Sequence, residues 1–229
     1  MKKFLKKPLL GLVAVLVTAI APVNANIIIS EVAPYASGNT AYEADWFELT
    51  NIGSSAVDIT GWKVDDNSNS FASGVALRGV SSIAAGQSVI FLESNASGSN
   101  DASINSGFAS AWFGTNIPAG LVIGNYGGSG VGLSTGGDAV NIFNSGGSLI
   151  TNISFGASTA GKSFDNAAGL ANVNVAQLSA VGIDGAFTAY NGGEIGSPGL
   201  VSAVPEPESF ALMLAGLGLI GAVARKRQH

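Results

Sequence analysis

The chain contains no cysteine, and its one histidine is His229 at the very end of the sequence. No disulfide can form, and neither a thiol nucleophile nor a metal site built on Cys or His is available. A Ser-His-Asp triad would have to draw its base from the tail, which leaves that chemistry without support. Charge is also scarce, at 11% of residues. Positive charge is scarcest in the middle: between residues 26 and 204 only Lys63, Arg78 and Lys162 are basic, against thirteen acidic residues, a net charge of −10. Such a surface repels nucleic acid, and no nucleic-acid partner is expected. No long apolar pattern of period 3.6 runs through this stretch, which argues against a helical fold.

The remaining basic residues mark the two ends. Lys2, Lys3, Lys6 and Lys7 precede the apolar run Leu9–Ala21, and Val23-Asn24-Ala25 places small residues where a signal peptidase reads. Residues 1–25 therefore read as a secretory signal peptide, cleaved between Ala25 and Asn26. At the other end, Pro205-Glu206-Pro207 is followed by the uncharged run Phe210–Ala224 and by Arg225-Lys226-Arg227. A helix over 209–224 would span only roughly 22 Å of a hydrocarbon core about 30 Å thick, with the basic tail 225–229 held on the cytoplasmic side.

This order of parts resembles the PEP-CTERM sorting signal of Gram-negative bacteria. The resemblance implies recognition by exosortase, removal of the tail, and release or attachment at the surface, parallel to the cleaved tail of GPI-anchored proteins. The expected partners are signal peptidase and exosortase during processing, the membrane transiently, and then extracellular polysaccharide or surface proteins.

Between the ends, with 200–204 as a linker, residues 26–199 are long enough for a substantial core. Short β-branched runs alternate with Gly/Ser/Asn turns, and 32 of the residues of the whole chain are glycine. Ile27–Val32, Trp46–Thr50, Ala56–Val64 and Ser88–Leu92 read as strands. In Ala56–Val64 the apolar parity shifts by one around Gly61, which suggests a β-bulge. Ser88–Leu92 is apolar on both faces and is expected to be internal. Ala139–Phe143 and Leu149–Phe155 flank Asn144-Ser145-Gly146-Gly147-Ser148 as a hairpin, with Leu149, Ile153 and Phe155 on one face. The long Gly/Ser-rich stretches Ser94–Ser106 and Gly124–Gly137 read as surface loops. The pattern predicts an all-β sandwich.

Ile29-Ser30-Glu31-Val32, Asp45-Trp46-Phe47-Glu48-Leu49-Thr50-Asn51 and Val57-Asp58-Ile59-Thr60-Gly61-Trp62 resemble the opening strands of the lamin tail domain. Ala85-Gly86-Gln87, Gly137-Asp138-Ala139-Val140 and the closing Gly196-Ser197-Pro198-Gly199 are similar as well. The resemblance implies an immunoglobulin-like β-sandwich of the binding or attachment kind, and no catalytic residues come with it. The region from Leu92 to Gly137 is longer than that family's compact core.

Several motifs could carry chemistry. Gly156–Ser163 matches G-x-x-x-x-G-K-[ST], but the segment after it is a weak helix former, and the stretch reads as a turn leaving the hairpin. Asp65, Asn67 and Asn69 stand at alternate positions like the start of a Ca²⁺ loop, although Ser70 occupies the glycine position and Ala76 that of the last ligand. They are the one weak metal candidate, with a polar turn as the commoner reading. Glu31 and Glu48 could be cast as a glycosidase pair, but both fall inside strand patterns and read as structural. Trp62 reads as core. Trp112 and Phe113, in the long-loop region, are the candidate ligand surface. No cofactor is expected. The chain is thus expected to be a non-enzymatic surface or matrix protein with a structural or adhesive role in the exopolysaccharide layer. The alternatives are an extracellular glycan-binding module and, more remotely, a secreted hydrolase.

Overall fold

The computed structural model describes residues 27–200. The expected signal-cleavage residues Val23, Ala25 and Asn26 and the sorting residues Pro205, Glu206, Pro207, Arg225, Lys226 and Arg227 lie outside the described residues, as does the expected helix over 209–224. Among the described residues no helix is long and apolar enough to cross a membrane.

The described chain is all-β apart from one helix. Its strands are β1 (Ile27–Ala33), β2 (Trp46–Asn51), β3 (Val57–Asp58), β4 (Lys63–Asp65), β5 (Val75–Ala76), β6 (Ser82–Ile83) and β7 (Ser88–Ser94). Helix α1 (Asp101–Phe113) follows, and then β8 (Ile123–Gly127), β9 (Asp138–Phe143), β10 (Leu149–Phe155), β11 (Phe164–Asp165), β12 (Asn174–Val175), β13 (Phe187–Thr188) and β14 (Ile195–Gly196). One five-stranded sheet has the order β11-β1-β2-β7-β8 and a second the order β12-β10-β9-β4-β5. The pairs β3–β6 and β13–β14 form two small ribbons. Pairing is antiparallel except for β7–β8 and β10–β12.

The strands alternate as a sandwich requires. Ile27, Ile29, Val32, Phe47, Leu49, Val89 and Phe91 of the first sheet pack with Val64, Val140, Ile142, Ile153 and Phe155 of the second, and Trp62 joins them. This is the main core, and its arrangement is that of an immunoglobulin-like sandwich. The first sheet is apolar on its other face too. Ala33, Trp46, Ile90 and Leu92 pack against Phe108, Ala111 and Trp112 of α1. That double burial is why Ser88–Leu92 reads as a continuous apolar run.

Three local readings are corrected by the structure. Ser94–Ser106 and Gly124–Gly137 are not simply loops, because α1 and β8 occupy parts of them. A parallel partner for β7 demands a crossover of a dozen residues or more, and α1 lies within that crossover. The parity shift at Gly61 is a turn rather than a bulge. Trp62 N–H donates to Ile59 O (3.0 Å) and Gly61 takes φ +75°, so the chain leaves the β3–β6 ribbon and enters the second sheet as β4. In the hairpin, the register shifts between Leu149 and Thr151, so that Thr151 is buried and Leu149 is 43% exposed. The bulge turns Leu149 out of the apolar face that Ile153 and Phe155 share.

Candidate functional site

The chemistry-bearing side chains gather on the outer face of the first sheet, where the C-terminal segment folds back over β1 and β2. An irregularity at Ser30 shifts the register of β1 so that Glu31 stands directly opposite Glu48. Both are 1% exposed. Like charges placed opposite each other on a sheet repel, and burial penalises each charge further. The chain meets this with donors rather than with cations. Glu48 accepts from Ser30 Oγ (2.6 Å) and from Gly199 N–H (2.5 Å). Glu31 accepts from Ser163 Oγ, from Ser197 N–H (2.9 and 3.1 Å to its two oxygens) and from Ser197 Oγ (3.0 Å). Burial, together with the neighbouring Glu48, raises the Glu31 carboxyl to about 8, and burial raises Glu48 to about 7. The donors from Ser163, Ser197, Ser30 and Gly199 pull the other way.

A third glutamate lies on the same face. Glu194 is 3% exposed. Its Oε2 accepts from Tyr35 Oη (3.0 Å) and Tyr42 Oη (2.5 Å). The Tyr42 oxygen in turn accepts from Trp46 Nε1 (3.2 Å) and Trp112 Nε1 (3.4 Å). Burial and the nearby carboxylate hold both tyrosine hydroxyls above their ordinary range, so they remain donors. Glu194 itself is raised by burial, against the pull of those hydroxyls. Its Oε1 has no hydrogen-bond partner. Beside it opens a cleft of about 340 Å³, lined by Tyr35, Asn39, Thr40, Asn191, Glu194 and neighbouring backbone. That volume is at the lower end of the range for small-molecule sites.

The structure separates the residues that sequence reasoning singled out. Trp112 is 1% exposed and Phe113 is partly buried against Phe187 (ring centroids 5.9 Å apart). Trp112 offers no free ring face, which corrects its reading as a ligand surface, and Phe113 keeps only part of its ring exposed. In a loop they would be exposed, but α1 turns Trp112 under itself, edge-on to Trp46 with ring centroids 5.9 Å apart. Asp65 is buried, and its carboxylate accepts from Ser68 Oγ (2.6 Å), Ser70 N–H (2.7 Å) and Ser73 Oγ (3.0 Å). Asn67 N–H donates to Asp138 (3.0 Å), and Asn69 takes φ +49° in the turn. Asp65, Asn67 and Asn69 thus form a self-satisfied polar turn. Among the described residues no group of three His, Cys, Asp or Glu side chains could hold a metal ion. Gly156–Ser163 leads into β11 rather than into a helix, and Ser163 is spent on Glu31.

Glu194, Tyr35 and Tyr42 escaped the reading of the sequence. The one available signal was an acidic residue next to the closing Gly196-Ser197-Pro198-Gly199, and nothing local connects it to tyrosines more than 150 residues away.

A family model described as Lamin Tail Domain matches residues 21–157, more than half of the chain. A second, described as PEP-CTERM protein-sorting motif, matches residues 203–228. No curated protein matches the chain. The cleft straddles the end of the first match: Tyr35, Asn39 and Thr40 lie within it, and Asn191 and Glu194 beyond it.

Proposed function

The chain belongs to the lamin tail domain family, and from that premise we propose that it is an exported, exosortase-processed protein of the Gram-negative cell surface or extracellular matrix. Its role there is structural or adhesive, within the exopolysaccharide layer, and it is not an enzyme. The observation that carries this reading is the PEP-CTERM motif at 203–228, a signal that implies export and processing by exosortase. The burial of Glu31 and Glu48 supports the non-enzymatic part. A glycosidase pair needs both carboxyls facing a sugar and a water, whereas these two face donors of their own chain.

The test is to fractionate the native bacterium and measure the intact mass and both termini of the protein. The expected form starts at Asn26, ends near Pro205 and lies outside the inner membrane. A form that keeps Arg225-Lys226-Arg227 and stays in the inner membrane would overturn the sorting assignment. Robust glycan or phosphoester hydrolysis by the protein, lost on Glu31→Gln or Glu48→Gln, would overturn the non-enzymatic one.

A further inference from the structure

We propose that the end of the sandwich where both ends of the described chain emerge is a lipid-docking surface. It seats the membrane-tied precursor on the bilayer through the apolar loop tips at Ile117, Leu170, Val181, Ile183 and Leu200. This surface presupposes the proposed export and tail-directed sorting. Strand directions define the end. β1 begins there, β2 finishes there with Asn51 opposite Ile27, and β7 and β8 both start there. Ile28, near the start of β1, lines one small hollow together with Ala167 and Leu200. The loops at this end touch one another and the sheet. A Cβ on Gly185 would lie 3.5 Å from Leu200 Cδ1, and one on Gly199 would lie 3.0 Å from Leu121 Cδ1. A Cβ on Gly169, just before Leu170, would lie 3.0 Å from Ile28 Cδ1.

Two observations point to a bilayer. The first is the contrast between the two ends of the first sheet. Exposed apolar side chains scattered singly are ordinary, but a group of them marks a contact surface. The five named side chains are between 42% and 60% exposed. At the opposite end the loops 34–45, 95–100 and 128–137 hold none of the large apolar side chains that are exposed among the described residues. Their tips are Ser, Asn and Gly instead. The second observation is where the chain goes. Leu200 belongs to the surface, and residues 201–209 alone separate it from the uncharged run that begins at Phe210. Those residues reach at most about 30 Å even when fully extended. The expected signal-cleavage site, between Ala25 and Asn26, directly precedes Ile27 at the same end. A tether at either terminus therefore brings this end to the bilayer and not the polar one. The segments 117–121, 181–186 and 197–200 contain no Lys, Arg or His, and their one acid, Asp184, is hydrogen-bonded to Asp165. The contact is thus apolar, with the tips entering the boundary between headgroups and acyl chains, and anionic lipid adds nothing to it. A few such tips without a basic patch make a weak anchor by themselves. The seat holds while the tether does and lets go when the tail is removed.

The test reconstitutes the full chain into phosphatidylcholine vesicles. The sequence has no cysteine, so Ile117→Cys, Ile183→Cys and, as a control at the polar end, Ser129→Cys each take one fluorophore. Quenching by lipids spin-labelled on the acyl chain reports contact with the bilayer. The labels at 117 and 183 should be quenched about threefold or more above the label at 129. Val181→Ser combined with Ile183→Ser should lower the quenching at 117 about twofold or more, by removing two apolar tips from the contact. Both replaced side chains are more than half exposed, so the melting temperature in detergent should stay that of the wild type. Added phosphatidylglycerol or low salt should not raise the signal. Equal quenching at 117, 183 and 129 overturns the proposal, and so does contact that appears only with anionic lipid. Labels at 117 and 183 that are shielded by a second copy in detergent would assign the end to self-association and overturn it as well. Flotation of the vesicles separates the two readings. A chain that floats with them but shows equal quenching overturns the docking surface alone. A chain that does not float overturns the membrane-inserting tail on which the surface depends, and the surface with it.

Discussion

At the scale of single residues, the face-to-face pair Glu31 and Glu48 is a costly arrangement. Both carboxyls are pushed upward by burial, Glu31 to about 8 and Glu48 to about 7, from an ordinary value of 4.5. A carboxyl raised in the folded state binds its proton more tightly there than in the unfolded chain. Stability is then greatest below about 4.5 and is lost as the pH rises through about 7 and 8. Asp45, Glu93 and Glu194 are raised by burial as well and act in the same direction. The expected outcome is a melting temperature that falls steadily from pH 5 to pH 8. Glu31→Gln should flatten that slope, which thermal unfolding across a pH series will read. A slope that rises with pH, or one that Glu31→Gln leaves untouched, would contradict this account. Trp112 is the other residue whose part changed. It braces the tyrosine that holds Glu194, so Trp112→Ala should act through stability, at about 3–5 kcal/mol, rather than by removing a stacking surface. Chemical denaturation measures that loss directly.

At the scale of elements, α1 decides how the first sheet is covered. Ile104, Phe108 and Trp112 stand at i, i+4 and i+8, a helical stripe that the surrounding Ser, Asn and Gly dilute. The helix gains little from propensity and depends on tertiary contacts. One of these is ionic. Arg78 grips Asp101, in the first turn, through Nε (2.8 Å) and Nη2 (3.0 Å), and Nη2 also donates to Asn95 O (2.7 Å). The fork is bidentate, and both side chains are less than a third exposed. Arg78→Ala should cost about 1–3 kcal/mol and loosen α1 before the sandwich. Hydrogen exchange should show faster amides in 104–113 with β1 and β2 unchanged. A uniform loss of protection would mean instead that helix and sheet unfold together.

At the scale of the whole molecule, the C-terminal segment closes the domain immediately ahead of the sorting motif. Ser197 and Gly199 give their amides to Glu31 and Glu48, and Gly196 fits only because it has no side chain: a Cβ there would lie 2.4 Å from Glu31 Oε1 and 3.0 Å from Trp112. The segment is thereby fastened to the sheet as far as Gly199, shortly before the PEP-CTERM match that begins at residue 203. Above about pH 7, where the Glu48 carboxyl is ionised, Glu48→Ala should release Gly199, raising its amide exchange roughly ten- to hundredfold, in keeping with loss of a charge-assisted bond worth about 1.5–3 kcal/mol. Exchange at Gly199 that does not change would show that the segment is held by packing alone.

How much was legible follows from the range of each signal. The sorting tail, matched at residues 203–228, is read from composition and order over a few tens of residues, because targeting depends on those local properties, and the expectation of a signal peptide rests on the same kind of signal. The strands Ile27–Val32, Trp46–Thr50 and Ser88–Leu92 and the Ala139–Phe155 hairpin are legible because alternation and turn chemistry are local too. The opening motifs and the family match agree on the sandwich. Only the tertiary structure decided the rest. Gly61 could be a bulge or a turn until the position of the second sheet was known. Trp112 could be surface or core until α1 was seen to cross the outer face of the first sheet. Glu194 acquired its meaning only when a strand pair near the C-terminus brought it onto Tyr35 and Tyr42, 159 and 152 residues away in sequence. Burial and long-range partners are properties of the packed chain, and a glycine-rich sequence with few charges encodes them over distances that no local pattern spans.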